Sequence, residues 1–179
     1  PMLDESQQLR IKVLFDPSLD ASGTGVLWQF NLSSRTLTGG GMVGQGLFNG
    51  HRTQNVPFIG QHTDFILSTV GEELGFVGCA AILILLGLII ARCIWVGVHS
   101  PNYTRRLVCF GAAAALIFQT IINIGMCTGV GPVIGLTLPF ISYGATSIVS
   151  LYAMLGLVSG VHARPAPTSQ ELYIRSPLK

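Results

Sequence analysis

The chain of 179 residues is poor in charge, with ten Lys and Arg and eight Asp and Glu, so charged residues make up 10% against about 25% in soluble domains. Its 49% hydrophobic content excludes a disordered chain, and a net charge of +2 is too small to suggest nucleic-acid binding. Charges are absent from residues 74–91 and 107–163. Since crossing the hydrocarbon core takes about 20 mostly apolar residues, the sequence predicts an integral membrane protein.

The chain begins with a polar, Gly-rich region, residues 1–61, which contains the strings GTG, GGG and GQG. Because Gly-rich segments form long helices only at a cost, we expect a large loop region with short helices near residues 5–15 and 27–37. A loop of this length usually indicates a functional segment.

Residues 62–163 are predicted to form an amphipathic helix that leads into three transmembrane helices. His62 or Thr63 is expected to cap the leading helix. Positions four apart share a helix face, and here the polar face carries Asp64, Ser68 and Glu72. The predicted spans cover residues 74–96, 107–126 and 140–162. The fold class is therefore an all-α membrane protein.

Basic residues indicate the orientation of the spans. The loop between the first two spans and the tail, residues 164–179, both contain Arg, whereas the loop between the last two spans has no charge. By the positive-inside rule the tail is cytoplasmic and the Gly-rich region extracytoplasmic. Asp64, Glu72 and Glu73 then lie near the outer surface, where acids are costly unless paired or facing water, so they are candidates for function.

Asp64 stands beside His62 at the predicted membrane boundary. A carboxylate there can act as a general base or coordinate a cation, and the alternative is that it only polarises a helix N-terminus. Glu72 and Glu73 point about 100° apart on a helix. Either one of them faces a cavity while the other is paired, or both form a solvated interfacial pair.

A second string, NIGMCTGVGPVIGLTLPFISYGATS at residues 123–147, mixes Gly, Pro and hydroxyl residues at membrane depth. Irregular backbone is tolerated there only when it is buried in protein or lines a cavity. Ser142 and Tyr143 open the third predicted span, and Gln119 and Asn123 can hydrogen-bond neighbouring helices. The alternative is close helix packing through small residues.

Candidates for binding an anionic group such as pyrophosphate lie in the outer loop. They are Arg35, Gln45, His51 and Arg52. The alternative is that these are ordinary solvated loop residues. The four cysteines form no CxxC pair and are predicted to be buried, inert thiols. The sequence contains no phosphate-binding loop, dinucleotide fingerprint, zinc-type spacing or nucleophile elbow.

The strings HTDFILSTVGEELGFVG and GLTLPFISYGATS, together with GGGMVGQGLFNG and the weaker LRIKVLFDP, resemble the shape, elongation, division and sporulation (SEDS) family of bacterial wall proteins. The resemblance covers residues 9–163. Members have about ten membrane helices, and this chain resembles the large fourth outer loop and the last three helices. The resemblance therefore implies a C-terminal fragment of a multi-pass protein of the bacterial cytoplasmic membrane.

The resemblance implies a glycosyltransferase that polymerises lipid II, an undecaprenyl-pyrophosphate-linked disaccharide peptide, into peptidoglycan strands for elongation, division or sporulation. The implied partner is a class B penicillin-binding transpeptidase. Asp64 matches the family's essential outer-loop aspartate, whose implied role is to deprotonate the acceptor sugar's 4-hydroxyl. The departing pyrophosphate needs positive charge from Arg, Lys or a divalent cation such as Mg²⁺ or Mn²⁺. The residues expected to bind substrate are His62, Arg52, Gln45, Glu72, Ser142 and Tyr143.

The chain departs from the family pattern at three places. Ile59-Gly60 stands where many members have Pro-Glu, Gln45 replaces a cation, and Ala145 replaces a Gly. Arg52 or Arg35 is the nearest substitute for the lost cation. The fragment alone is expected to be inactive.

Two other functions stay open. One is a flippase, a transporter of lipid-linked precursors. The other is a non-catalytic scaffold that binds the transpeptidase's membrane helix at Gly156 and Gly160.

Overall fold

The computed structural model describes residues 26–55 and 60–163, together with Lys12. All regular elements in these ranges are helices: α1 (Val26–Gly39), α2 (His51–Asn55), α3 (Ile66–Val98), α4 (Tyr103–Thr128) and α5 (Ala145–Ala163). Helices α3, α4 and α5 are long and apolar enough to cross a membrane, which confirms the all-helical class and the three predicted spans. Helix α1 confirms the helix predicted near residues 27–37. The helix predicted near residues 5–15, apart from the helical Lys12, and the tail 164–179 lie outside the described residues.

Helix α3 joins the predicted leading helix and the first span into one element of 33 residues that is broken at Gly75, where φ is 68° and ψ is −167°. A left-handed φ of this kind suits glycine, which has no Cβ. The helix begins later than predicted because residues 60–65 form a turn. Capping by His62 or Thr63 was a wrong prediction, since the residue before the helix is Phe65 and no side chain caps it.

The break at Gly75 is filled by the Gly-rich loop that follows α1. Four hydrogen bonds join the two segments: Gln45 N and Gly46 N donate to the carbonyls of Glu72 and Glu73, and Phe76 N and Val77 N donate to those of Gly41 and Met42. A broken helix at membrane depth leaves amide and carbonyl groups without helical partners, and such groups are costly in an apolar medium. The loop supplies those partners, so it completes the hydrogen bonding of α3 at the break.

Glycine is required where the loop meets the helix. A Cβ on Gly40 would overlap the Gly71 carbonyl oxygen, and a Cβ on Gly44 would overlap that of Glu73. Gly44 also has a left-handed φ of 86°. The string GGGMVGQG therefore allows two backbones to approach within hydrogen-bond distance.

Two buried clusters hold the helices together. One lies near the start of α3, where Phe30 of α1, Phe65 and Met126 of α4 pack together. The other joins α3, α4 and α5 farther along the spans. Its members include Cys93, Val96, Cys109, Leu116, Leu151 and Val158. All four cysteines are free and buried, as predicted.

The connection from α4 to α5 is irregular. Gly129 ends α4 in a left-handed conformation, and α5 begins at Ala145 rather than at Phe140, because residues 138–143 turn and Phe140 itself has a φ of 65°. The third span is therefore shorter than predicted. A Cβ on Gly156 or Gly160 of α5 would have no described atom within 4 Å, so this pair does not mediate packing among the described helices.

Candidate functional site

The centre of the site is the turn 60–65, which carries Asp64. The amides of Thr63, Asp64 and Phe65 all donate to the Gly60 carbonyl, at 3.0–3.1 Å. Three amides on one acceptor make a tight turn, and Gly60 permits it with a left-handed φ of 84°. These backbone hydrogen bonds therefore fix the position of Asp64 without any contribution from its side chain.

Asn123 of α4 anchors this turn through its side chain. It is fully buried, and its Nδ2 donates to the Asp64 carbonyl at 2.8 Å and to the Leu136 carbonyl at 2.7 Å. A buried amide that meets two carbonyls fixes both segments, since removal of one partner leaves a desolvated group unpaired. Asn123 was predicted to hydrogen-bond neighbouring helices; its partners are instead the Asp64 turn and the irregular connection between α4 and α5.

The segment between α4 and α5 holds the other side of the turn. Ser142 Oγ donates to the Thr63 carbonyl at 2.5 Å and accepts from the Leu138 amide at 2.8 Å. The amide of Tyr143 donates to the His62 carbonyl at 3.0 Å. The two strings singled out in the sequence thus meet at this turn.

The carboxylate of Asp64 is half-buried and lies between two glycines. A Cβ built on Gly135 would lie 3.4 Å from Asp64 Oδ2, and one built on Gly60 would lie 3.6 Å from it. Among the described residues the carboxylate accepts no hydrogen bond. A carboxylate that is held in place by its backbone and left without a proton donor is suited to accept a proton from a ligand.

The other candidates around the turn differ in what they can do. The side chains of His62 and Tyr143 are exposed, Tyr143 to 81%, so both are available to a ligand beside the turn. The hydroxyl of Ser142 is buried and is occupied by two backbone groups. Ser142 therefore positions the turn.

Glu72 lies in a second cluster, at the start of α2. It is fully buried; Oε1 accepts from the Arg52 amide at 2.9 Å and Oε2 from the Thr53 amide at 2.8 Å. Glu73 is also buried and lies 3.4 Å from Thr53 Oγ1. The interpretation of Glu72 and Glu73 as a solvated pair was wrong, because the unpaired amides at the beginning of a helix attract a carboxylate and α2 covers both acids.

Arg52 and Gln45 belong to the same cluster. Arg52 Nη1 donates to the Arg35 carbonyl at 2.7 Å. Gln45 Nε2 donates to the Gly39 carbonyl at 3.1 Å, and its Oε1 accepts from the His51 amide at 2.9 Å. Both side chains thus connect the end of α1 with the start of α2.

Gln61 links the two clusters, and sequence reasoning missed it. It is buried, its Nε2 donates to the Thr53 carbonyl at 3.0 Å, and its own carbonyl accepts from Thr69 Oγ1 at 3.4 Å. Its position next to the candidate residue His62 is the feature of the sequence that could have identified it. The segment that carries Arg52 is therefore tied to the turn that carries Asp64.

Within residues 26–55 and 60–163 no group of three or more His, Cys, Asp or Glu side chains could hold a metal ion. Both oxygens of Glu72 are occupied by amides, and Glu73 is buried with one oxygen on Thr53 Oγ1. Asp64 is therefore the most accessible carboxylate of the described residues. Mg²⁺ is often held by one or two carboxylates together with substrate phosphates. The described residues alone do not form a cation site.

Comparisons with known proteins agree with this architecture. The family model of the FtsW, RodA and SpoVE proteins, described as cell cycle proteins, matches residues 2–166. The peptidoglycan glycosyltransferase MrdB of Escherichia coli K12 is 33% identical over 161 residues, which are 90% of this chain and 43% of MrdB. The chain thus spans less than half of this relative.

Two solved structures are similar. One, described as showing structural coordination of polymerization and crosslinking by a peptidoglycan synthase complex, has a TM-score of 0.71 and 37% identity over 90% of this chain and 43% of its own. The other, a mutant of the rod-shape-determining protein RodA of Thermus thermophilus, has a TM-score of 0.59 and 30% identity over 94% of this chain and 60% of its own. The chain is therefore a membrane protein that belongs to the FtsW, RodA and SpoVE family, the SEDS family.

Proposed function

We propose that this chain carries the catalytic region of a peptidoglycan glycosyltransferase that polymerises lipid II, with Asp64 as the general base. The observation that carries the proposal is the Asp64 turn. Asn123 and Ser142 hold its backbone through the carbonyls of Asp64 and Thr63, while the carboxylate has no hydrogen-bond donor among the described residues. The name of the related MrdB, a peptidoglycan glycosyltransferase, supports the same activity.

The proposed reaction is an inverting displacement at a sugar carbon. The acceptor's 4-hydroxyl oxygen bonds to the anomeric carbon of the donor while its proton moves to the Asp64 carboxylate. The bond from that carbon to the pyrophosphate oxygen breaks, and undecaprenyl pyrophosphate leaves with the bonding electron pair. A base held at the reacting oxygen typically contributes about 10²- to 10⁴-fold to such a step.

The remaining site residues have proposed roles that follow from their exposure. His62 and Tyr143 are exposed beside the turn and would contact the sugars or the peptide. The guanidinium of Arg52 is the proposed partner of the pyrophosphate, because α2 is tied to the turn through Gln61. Glu72, Gln45 and Ser142 are occupied by backbone groups and would act by positioning.

The proposed setting is a bacterial cytoplasmic membrane with the Asp64 end outside and residue 163 near the cytoplasmic face. The charge-free connection between α4 and α5 supports this orientation, and so do Arg92 near the end of α3 and Arg105 and Arg106 in the first turn of α4. A class B penicillin-binding transpeptidase is the proposed partner. Its support is the similar structure described as a peptidoglycan synthase complex.

The test is Asp64→Asn in the full-length protein reconstituted with purified lipid II. The expected result is a loss of glycan polymerisation of about 100-fold or more, with unchanged thermal unfolding, because the amide keeps the shape and every backbone hydrogen bond of the turn. The matched control is Gln54→Ala, an exposed residue of α2, which should keep full activity.

Polymerisation by Asp64→Asn at the rate of the control would overturn the proposal. If the variant instead lost movement of fluorescent lipid II across a vesicle membrane, the site would belong to a flippase.

A further inference from the structure

A groove runs between α3 and α5 at the end of the molecule away from Asp64. Its volume is about 630 Å³. Leu85 and Leu88 of α3 and Leu155 and Val158 of α5 are among the apolar residues that line it, while Arg92 and His162 lie at its basic end. The α3 residues of the wall recur every three or four positions, so they form one continuous helix face.

The apolar part of the groove begins at Leu85 and reaches Arg92 on α3, a distance of about 10 Å at 1.5 Å per residue. Half of the hydrocarbon core is about 15 Å, so this wall covers about two thirds of one leaflet. The headgroup-proximal part of an acyl chain would therefore lie along the groove, with the headgroup at the basic end.

The basic end is organised around Arg92. Its Nη2 lies 3.3 Å from His162 Nε2, and its guanidinium carbon lies 4.3 Å above the centre of the Trp95 ring. Trp95 is 45% exposed, as is typical of tryptophans at the membrane–water interface. The guanidinium is thus held against the Trp95 ring with N–H groups left for an anion, since Arg has five donors.

The acidic side chains of the described residues lie elsewhere. Asp64, Glu72 and Glu73 all precede Gly75, and Gly75 is 17 residues before Arg92, about 25 Å along a helix. A smaller cavity of about 210 Å³ continues past Trp95 and is also lined by His99. None of the three acids of residues 26–55 and 60–163 is therefore close to Arg92.

We propose that this groove binds an anionic phospholipid from the leaflet at the Arg92 end, with an acyl chain against Leu85, Leu88, Leu155 and Val158 and the phosphate on Arg92 and His162. An apolar slot with Arg92 and His162 at one end is complementary to such a lipid, because basic sites between membrane helices bind anionic headgroups. The site is separate from Asp64, so it stands whether or not the proposed catalytic role does.

The test measures lipid binding to the full-length protein in mild detergent. Dioleoyl phosphatidylglycerol and the zwitterionic dioleoyl phosphatidylcholine are each titrated, with bound lipid counted by native mass spectrometry and the unfolding temperature followed in parallel. Phosphatidylglycerol should bind in preference and raise the unfolding temperature. Arg92→Gln should lower its affinity about tenfold or more, because a hydrogen bond to a charged group is lost.

The matched control is Arg106→Gln. Arg106 lies at the same end of the molecule but outside both cavities, and its Nη2 donates to the Val98 carbonyl at 3.4 Å. It should keep the affinity within about twofold, as expected when only screened surface charge changes. Leu155→Trp, which fills the slot without changing charge, should weaken binding as Arg92→Gln does.

Equal binding of the two lipids would overturn the proposal, and so would equal losses in Arg92→Gln and Arg106→Gln. If Leu155→Trp lowered the unfolding temperature in lipid-free detergent while added phosphatidylglycerol had no effect, a helix of the same protein would fill the groove, and the lipid site would be refuted.

Discussion

The two ends of the membrane-spanning unit are stabilised in different ways. Up to Gly75, α3 is wrapped by the Gly-rich loop, and six of its residues 66–75 are buried, whereas only five of residues 76–98 are. At the first end the contacts include hydrogen bonds between backbones, and at the other they are the apolar contacts of the second buried cluster, beside the groove. The comparison teaches that directional contacts, which fix backbone geometry, are concentrated where Asp64 lies.

Four predictions test this difference, in order of decreasing expected effect. The first concerns the contact between the loop and the helix break. Gly44→Ala forces a left-handed residue, which costs about 1–2 kcal/mol, and pushes a Cβ into the Glu73 carbonyl, where overpacking costs about 1–3 kcal/mol. The expected loss in free energy of unfolding is about 3 kcal/mol, measured by thermal unfolding of the full-length protein in detergent.

The control for this variant is Gly41→Ala. Gly41 also has a left-handed φ, of 59°, but its Cβ would meet no described atom within 4 Å. Its loss should be about 1–2 kcal/mol, the conformational cost alone. Equal losses at the two positions would mean that the loop does not press on α3.

The second prediction concerns the anchor of the Asp64 turn. Asn123→Ala leaves the buried carbonyls of Asp64 and Leu136 without their donor, and the expected loss of stability is about 2 kcal/mol, with polymerisation falling more than the stability loss explains. Gln119→Ala, one turn earlier on α4, is the control, because Gln119 Oε1 is buried without a partner among the described residues. Full polymerisation activity in Asn123→Ala would contradict the anchoring role of this side chain.

The third prediction compares two adjacent acids. Glu72→Gln removes the charge from a group that accepts two backbone amides of α2, at an expected cost of about 1.5 kcal/mol. Glu73→Gln alters a single contact of 3.4 Å and should cost less. Protease sensitivity at α2, together with the unfolding temperature, measures both variants. The opposite ranking would mean that Glu73 is the acid that holds α2.

The fourth prediction concerns the loosely packed end. Gly156→Leu should change the free energy of unfolding by less than about 0.5 kcal/mol, as at other surface positions, because no described atom lies near its Cβ. Co-purification of the proposed transpeptidase measures a second property of this face. Unchanged stability with loss of the partner would assign the face to partner binding and favour the scaffold function.

The spans were predictable because membrane helices have a simple signal, a long run without charge: residues 107–128 of α4 and the whole of α5 contain no Asp, Glu, Lys or Arg. The helix near residues 27–37 was also found. The limits of the elements were less predictable: the turn at 60–65 depends on three amides meeting the Gly60 carbonyl, and the late start of α5 depends on contacts of Ser142 with Thr63. Such contacts join residues 79 positions apart, and local sequence does not encode them.

The candidate site was predicted in its members but not in its arrangement. Asp64, His62, Ser142 and Tyr143 do meet around one turn, whereas Gln45, Arg52 and Glu72 form a second cluster at the start of α2. The burial of Glu72 was missed because helix periodicity shows that Glu72 lies on a polar face of α3 but not that another segment of the chain covers this face. The segment before α2 is rich in glycine, and the need for glycine there can be recognised only when the backbone that it packs against is known.

The break at Gly75 has a consequence for the biogenesis of the protein. The loop of residues 40–46 is synthesised before α3, so its backbone groups have no helix to pair with until that span has entered the membrane. Each segment completes the other, and the Asp64 turn acquires its final geometry only when the last span brings Ser142 against it.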